Sequence, residues 1–302
     1  KNINIAKKNG AEVVVLLSHN GFDVDQKLAS MLDSVDVILT GHTHDAIPRA
    51  INIKNTLLLS SGSHGKYLGR IDLKIDNGKV VDFSSNLIPV FSDVIQPDPE
   101  MKRLIDKVRK PYEEECNRVV GQAETLLYRR GNFGGPWDSV ICDAIIQERD
   151  TEISLSPGFR WGTTLLPEQK ITIDDIYSQT SMNYPEVYRT EMNGETIKNL
   201  LEDVCDNIFN PDPFFQQGGD MVRVGGMTYT CQPKNTMGDR ISDLKLSNGE
   251  KIESQKKYTI GGWGSINPEV EGPPIYKLLE DYVSAEKIIK PKNNNPVKIK
   301  GI

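Results

Sequence analysis

Residues 38–48, ILTGHTHDAIP, carry His42 and His44 two positions apart, directly after a glycine and at the end of an apolar run. Upstream, LLSHNG places His19 in the same relation to another apolar run. Neutral imidazoles suit manganese, zinc or iron and also serve as acid/base groups near neutral pH. Successive strand side chains face opposite ways, but a loop leaving a strand end can turn two rings toward one point. His19, His42 and His44, with Asp23, Asp25 and Asp45 near them in sequence, therefore form a candidate divalent-metal site. The alternative is a surface loop rich in polar residues. Asp25 reads as the N-cap of the helix QKLASML rather than as a ligand, and the isolated His64 as a structural or solvated side chain.

The elements that must hold these residues can be read from hydrophobic patterning. AEVVVLL (11–17) and VDVILT (35–40) are β-branched runs of buried-strand character, with QKLASMLD between them as a helix. This βαβ pattern predicts two parallel strands whose carboxyl ends carry the functional loops, so the three histidines gather at one sheet edge. The opening residues lack a signal-peptide pattern and begin in the middle of a βαβ unit, as expected of a piece of a longer chain. Alternating segments follow, with an Asn77–Gly78 hairpin turn that predicts an antiparallel layer closing the first domain. Past Pro97 and Pro99, residues 100–119 read as a charged helix with Leu104, Ile105 and Val108 on one face, the best linker. The expected organisation is a first domain over 1–97, a linker helix over 98–115 and a second α/β domain over 116–302. In the second domain SVICDAIIQE and ETIKNLLEDVCDNIF read as helices and TEISLSP as a strand.

Composition narrows the function classes. With 302 residues, 37% hydrophobic and 26% charged, the chain is an ordinary globular protein of about two domains. No run approaches the ~20 apolar residues of a membrane-spanning helix. The net charge of −6 argues against a dedicated nucleic-acid binder, and any anionic substrate needs local positive charge from metals or arginines. Cys116, Cys142, Cys205 and Cys231 lie far apart and form no CxxC pair, which excludes a zinc ribbon and a thioredoxin motif.

LLSHNG followed some two dozen residues later by GHTH resembles the last two metal-binding blocks of the calcineurin-like metallophosphoesterases, in the branch that ends in a 5'-nucleotidase-type domain. That resemblance implies that His19 and His42 serve one ion and His44 a second. The family's earlier blocks, an Asp-x-His pair, a bridging Asp and an Asn-His, are not found in this chain. The implied fold is α/β: the C-terminal part of a metallophosphoesterase αββα sandwich, followed by a 5'-nucleotidase-type C-terminal α/β domain. VVGQAETLLYRR, WDSVICDAI and ISLSPGFRWGTTL stand where nucleotidases have a strand, a helix and an Asn-Gly-Gly-x-Arg loop, of which Arg160 is retained cleanly. SMNYPEVY stands where nucleotidases carry a base-stacking Phe and has none, which counts against nucleobase stacking.

GGPWDSVICDA, SPGFRWGTT, QTSMNYP and NPDPFFQQGGDMVRVGGMTYTC together resemble the SoxB-type thiosulfohydrolases across nearly the whole chain. The resemblance implies a periplasmic enzyme with two manganese ions, zinc or iron being compatible with the same ligand types. It also implies a substrate, the cysteine S-thiosulfonate on the SoxYZ carrier, from which sulfate is released.

The chemistry can be argued from residue types as well. A sulfonate, like a phosphoryl group, bears charge on peripheral oxygens that repels hydroxide; two metals would lower the pKa of a water, orient it and neutralise developing charge. Arg160 offers a planar donor fork to an oxyanion, with Arg223 and Asp220 of GGDMVRVGG as further substrate-binding candidates. Each arginine also reads as half of a surface ion pair. The glycines of QQGGDMVRVGGM lack the strand, Lys and helix order of a P-loop and suit a backbone-lined channel, with Trp137, Trp161 and Tyr184 as candidate walls. Arg160 is expected to face the histidine edge across a cleft. Three functions are compatible: a thiosulfohydrolase, a 5'-nucleotidase or other phosphomonoester hydrolase, and a non-catalytic fragment.

Overall fold

The patterning around the histidines resolves, in a computed structural model describing residues 1–265, 267, 269–292 and 296–301, into a small parallel sheet. After α1 (Asn2–Lys8), β1 (Val15–Ser18) leads through α2 (Phe22–Met31) to β2 (Val37–Thr40), and β3 (Ile51–Ile53) and β4 (Thr56–Ser60) complete the order β1-β2-β4-β3. β1 and β2 are parallel, as the βαβ reading predicts; β4, which the sequence reading placed in the antiparallel layer, also pairs parallel to β2, and β3 is antiparallel to β4. Ser18 is level with Thr40, and the Gly41 amide donates to the Ser18 carbonyl at 3.0 Å, so the loops leaving β1 and β2 depart together. The small core beneath them joins Ala29 of α2 to Val35, Ile38 and Leu58. Burying side chains such as Ile38 and Leu58 contributes about 1.5–3 kcal/mol each.

The hairpin forms where the Asn-Gly turn predicts it. β5 (Tyr67–Asp76) pairs with β6 (Lys79–Pro89), and Asn77 and Gly78 both have positive φ, at 49° and 69°, as a type I′ turn demands. The single helix expected over 100–119 is broken. α3 (Pro99–Arg109) starts where Asp98 Oδ1 accepts from the Glu100 and Met101 amides, and a 3-10 turn over Lys110–Tyr112 separates it from α4 (Glu113–Cys116). Pro111 in that turn has no N–H to continue the α-helical ladder.

Residues group into two units, 1–104 with 210–218, and 105–209 with 219–302, so the division falls inside α3. The linear reading of the chain assigned 210–218 to the second domain; by contacts this short segment belongs with the first unit. The second unit is the larger. It contains β7 (Val119–Ala123), α5 (Pro136–Arg149), β8 (Ile153–Ser156), β9 (Lys170–Thr172), α6 (Ile173–Thr180), β10 (Tyr188–Asn193) and α7 (Gly194–Phe209). There follow β11 (Arg223–Gly225), β12 (Met227–Cys231), β13 (Ile241–Leu246), β14 (Lys257–Gly262), α8 (Ile275–Glu286), β15 (Ile288–Ile289) and β16 (Val297–Ile299). Its sheets run β10-β14-β8-β11, β13-β12-β16 and β15-β7-β9. The helices predicted for SVICDAIIQE and ETIKNLLEDVCDNIF are α5 and α7, and the strand in TEISLSP is β8.

The helix α5 is the centre of this unit. Its Val140, Ile141, Ala144 and Ile145 are buried in one core with Ile173, Ile176, Leu279 and Val283, while α7 buries Ile197, Leu201 and Cys205 in a second core against β12 and β13. No helix among the described residues is long and apolar enough to cross a membrane.

Candidate functional site

In the first unit the level ends of β1 and β2 bring two histidines together. His19 Nε2 and His42 Nδ1 are 3.3 Å apart. Two nitrogens each bound at 2.0–2.1 Å to one tetrahedral ion are separated by about 3.3 Å, so this spacing fits a shared metal. On its other side His42 Nε2 lies 3.2 Å from the Gln217 carbonyl. With the proton on Nε2 it donates to that oxygen, and the Nδ1 lone pair is left to ligate. The Gln217 carbonyl comes from the 210–218 segment, which Lys27 tethers by an ion pair to Asp212 and by its ammonium 4.2 Å over the Phe214 ring.

His44 does not join this pair. Its ring packs edge-on to His64 with centroids 5.9 Å apart, and among the described residues no three His, Cys, Asp or Glu side chains form one metal-holding group. His42 and His44 both have positive φ, 75° and 59°. The loop thus sends its two rings to different partners instead of one point. His64, read as an isolated side chain, is the partner of His44. Asp25 is not an N-cap either: α2 begins after Gly21, and Asp25, one turn inside, is fully buried. Its Oδ1 accepts from Ser18 Oγ at 2.8 Å and from Asn20 Nδ2 at 3.3 Å, which ties both residues flanking His19 to α2.

Gly218 is where the 210–218 segment meets the histidines. A Cβ there would lie 2.2 Å from His42 Nε2, and its φ of 76° disfavours any side chain. Gly218→Ala is expected to push His42 out of register with His19 and to lower affinity for manganese or zinc about 10- to 100-fold, the usual cost of losing a ligand's outer support. Calorimetric titration of metal into the intact protein checks this; an unchanged affinity would refute the tautomer assignment.

In the second unit the arginines are the surprise. Arg223 and Arg160, read as possible surface ion pairs, belong to a largely buried network. Arg223 Nη2 donates to Asp220 Oδ2 at 2.8 Å, its Nε lies 3.5 Å from Asp138 Oδ2, and Arg160 Nε is 3.2 Å from the same Asp220 oxygen. A third arginine, which sequence reasoning missed, completes it. Arg129 Nε donates to Asp138 Oδ1 at 2.7 Å, and its other nitrogens donate to the Gln179 and Pro157 carbonyls. Three guanidiniums against two carboxylates leave a formal excess of one positive charge. Burial pushes the Asp220 carboxyl above its ordinary pKa, against the downward pull of Arg223 and Arg160.

Arg223 Nη1 is buried and has no hydrogen-bond partner among the described residues, and Arg223 and Asp138 line a cavity of about 270 Å³ with Phe133, Gly134 and Val297. A larger hollow of about 710 Å³ is lined by Asp143, Glu152 and Glu250. Three carboxylates against one Lys292 leave it net negative, whereas the smaller cavity sets Arg223 against Asp138 and is the better oxyanion site despite its size.

Aromatic side chains flank Arg160 in sequence and pack on one another. Phe159 and Trp161 stack at 3.7 Å, and Phe159 also meets Trp263 edge-on at 6.0 Å. Trp161 thus packs on Phe159, and Tyr184 is exposed. Trp137 is fully buried in the core around α5 and is no channel wall, because the first turn of a central helix faces inward.

The 5'-nucleotidase, C-terminal domain family matches residues 119–264. The trifunctional nucleotide phosphoesterase protein YfkN of Bacillus subtilis is 24% identical over 269 residues, covering 82% of this chain and 17% of that protein. The structure of Thermus thermophilus sulfate thiohydrolase SoxB is 33% identical with a TM-score of 0.94, over 99% of this chain and 57% of that one. A 5'-nucleotidase precursor from Thermus thermophilus, 17% identical with a TM-score of 0.81, shares the fold over 100% of this chain and 66% of its own. Residues 119–264 therefore carry a 5'-nucleotidase-type C-terminal domain, and the chain is similar to metal-dependent hydrolases of the SoxB and 5'-nucleotidase kinds. The likeness to SoxB extends over almost all of this chain, which spans little more than half of that protein.

Proposed function

We propose that the intact protein is a thiosulfohydrolase that releases sulfate from a cysteine S-thiosulfonate on a SoxYZ-type carrier in the periplasm. The observation that carries this reading is the buried Arg223 beside the small cavity, with a guanidinium nitrogen that lacks a protein partner among the described residues. A buried donor without a partner costs about 1–3 kcal/mol, which an oxyanion would recover on binding. The cavity suits a small terminal sulfonate; Arg160 is not among its lining residues and joins the site only through Asp220, which it shares with Arg223.

His19 and His42 would hold one ion, and His44 is assigned to the second by the family resemblance. Divalent ions there, manganese in our reading, would supply activated water and charge neutralisation. The chain's own residues do the rest. The Gln217 carbonyl holds the His42 tautomer, Asp25 holds the turn that carries His19, and the excess positive charge of the arginine network attracts the anion.

One observation favours a phosphomonoesterase. Phe215 is 69% exposed and free to stack on a base, and several curated relatives are 5'-nucleotidases. Assaying the intact, manganese-loaded protein for sulfate release from thiosulfonated carrier and phosphate release from AMP separates the two. We expect sulfate release with AMP a poor substrate, since a nucleotide without the expected stacking Phe loses roughly 1–3 kcal/mol of contact. Efficient AMP turnover without sulfate release would establish the nucleotidase reading.

A further inference from the structure

Cys205 and Cys231 take no part in the clusters described above, yet their Sγ atoms lie 3.6 Å apart inside the second core of the larger unit. Both are free and fully buried. Cys205 shares a face of α7 with Ile197 and Leu201, the spacing of four that stacks side chains along a helix, and that face packs on β12 and β13. Cys231 is the last residue of β12, held between Ile241 of β13 and Ile299 of β16. Both backbones are therefore anchored, and the thiols meet because the packing places them together. A thiol–thiol contact is itself a weak interaction that an apolar pair could replace.

We propose that Cys205 and Cys231 are a disulfide-forming pair. A bond of about 2.05 Å is reached from the observed separation by small side-chain rotations. The two thiols share a contact in which either sulfur can donate, and Cys205 together with the Arg240 guanidinium holds the Cys231 thiol below its usual pKa against burial and Glu202. Once the chain opens either thiol can act first, Cys231 for instance. Its thiolate attacks an external disulfide such as glutathione disulfide, forming a mixed disulfide and releasing one thiolate. Cys205 then loses its proton and attacks the Cys231 sulfur, displacing the second. The protein dithiol gives up two electrons and two protons, and the oxidant becomes two thiols. Because both sulfurs are buried, the reaction belongs to the folding chain or to a transient opening.

The cross-link would close a loop between positions 26 apart, and that loop contains Gln217, Gly218, Asp220 and Arg223. It would thus tie together the two ends of the segment that supplies both clusters with residues.

The test is to refold the protein from denaturant in a glutathione redox buffer or in reductant alone, alkylate free thiols and map the peptides by mass spectrometry. We expect a cross-linked Cys205–Cys231 peptide pair, two hydrogens lighter than the dithiol, with Cys116 and Cys142 alkylated. Closing a loop of this size is expected to raise Tm by roughly 5–10 °C, reversibly with dithiothreitol. The Cys205→Ala/Cys231→Ala variant should show no redox dependence of Tm; if it fails to fold, the peptide map of the unaltered protein decides. Recovery of both cysteines alkylated after oxidative refolding, or a redox-sensitive Tm persisting in the variant, would overturn the proposal.

Discussion

Arg160→Ala is expected to lower kcat/KM about 10²- to 10³-fold on whichever substrate the intact protein turns over, the usual loss when one preorganised donor to a developing oxyanion is removed. Stability should change little. The Arg160 side chain is 16% exposed and lies 3.2 Å from Asp220, which keeps its 2.8 Å bond to Arg223 when Arg160 is gone. Arg160→Lys separates charge from geometry: a point charge without the planar fork should recover only part of the activity. Steady-state kinetics with kcat and KM resolved, alongside a melting curve, is the measurement. A kcat/KM within twofold of the unaltered protein would remove Arg160 from the site.

Asp138→Ala should act in the opposite way, chiefly on the fold. Asp138 is buried; its Oδ1 accepts from Arg129, and its Oδ2 accepts from the Gly135 amide at 2.9 Å and faces Arg223 at 3.5 Å. Its removal leaves the buried Arg129 with only the Gln179 and Pro157 carbonyls, leaves Asp220 to offset Arg223 and Arg160, and removes the acceptor of the Gly135 amide at the start of α5. Breaking a buried pair costs about 3–5 kcal/mol and a lost cap about 1 kcal/mol more. For a unit of this size that corresponds to a fall in Tm of roughly 10–20 °C. Asp138→Asn keeps the shape and the capping acceptor and should fall in between. Calorimetry or circular dichroism of the three proteins checks the order; a shift below about 2 °C for Asp138→Ala would mean that the network is not the keystone its burial suggests.

Much of the first unit is legible because its signals are short-range. His19 and His42 stand just past two β-branched runs, and a βαβ pattern makes those runs parallel with their ends on one edge; register then sets Ser18 beside Thr40. The Asn77–Gly78 hairpin is legible for the same reason, since both residues tolerate the positive φ that the turn requires. Asp25 misleads because an acid near a helix start usually caps it, and only the contact with Ser18 Oγ shows that the helix begins earlier and the carboxylate faces inward.

The arginine network was beyond such reading. Arg129 finds its partners at Asp138, Pro157 and Gln179, up to 50 positions away in the chain. Nothing in LLYRRGN distinguishes the buried Arg129 from the exposed Arg130. The pairing of His44 with His64, the placing of Gln217 against His42 and the approach of Cys205 to Cys231 are likewise long-range. By itself the sequence determined the residue types for an ion and an oxyanion and the strand ends that present the histidines, because backbone propensity and side-chain period act over a few neighbours. Only tertiary structure decided which charges are buried, which carboxylates offset them and which guanidinium nitrogen is left without a protein partner, because the cost of a buried charge depends on everything packed around it.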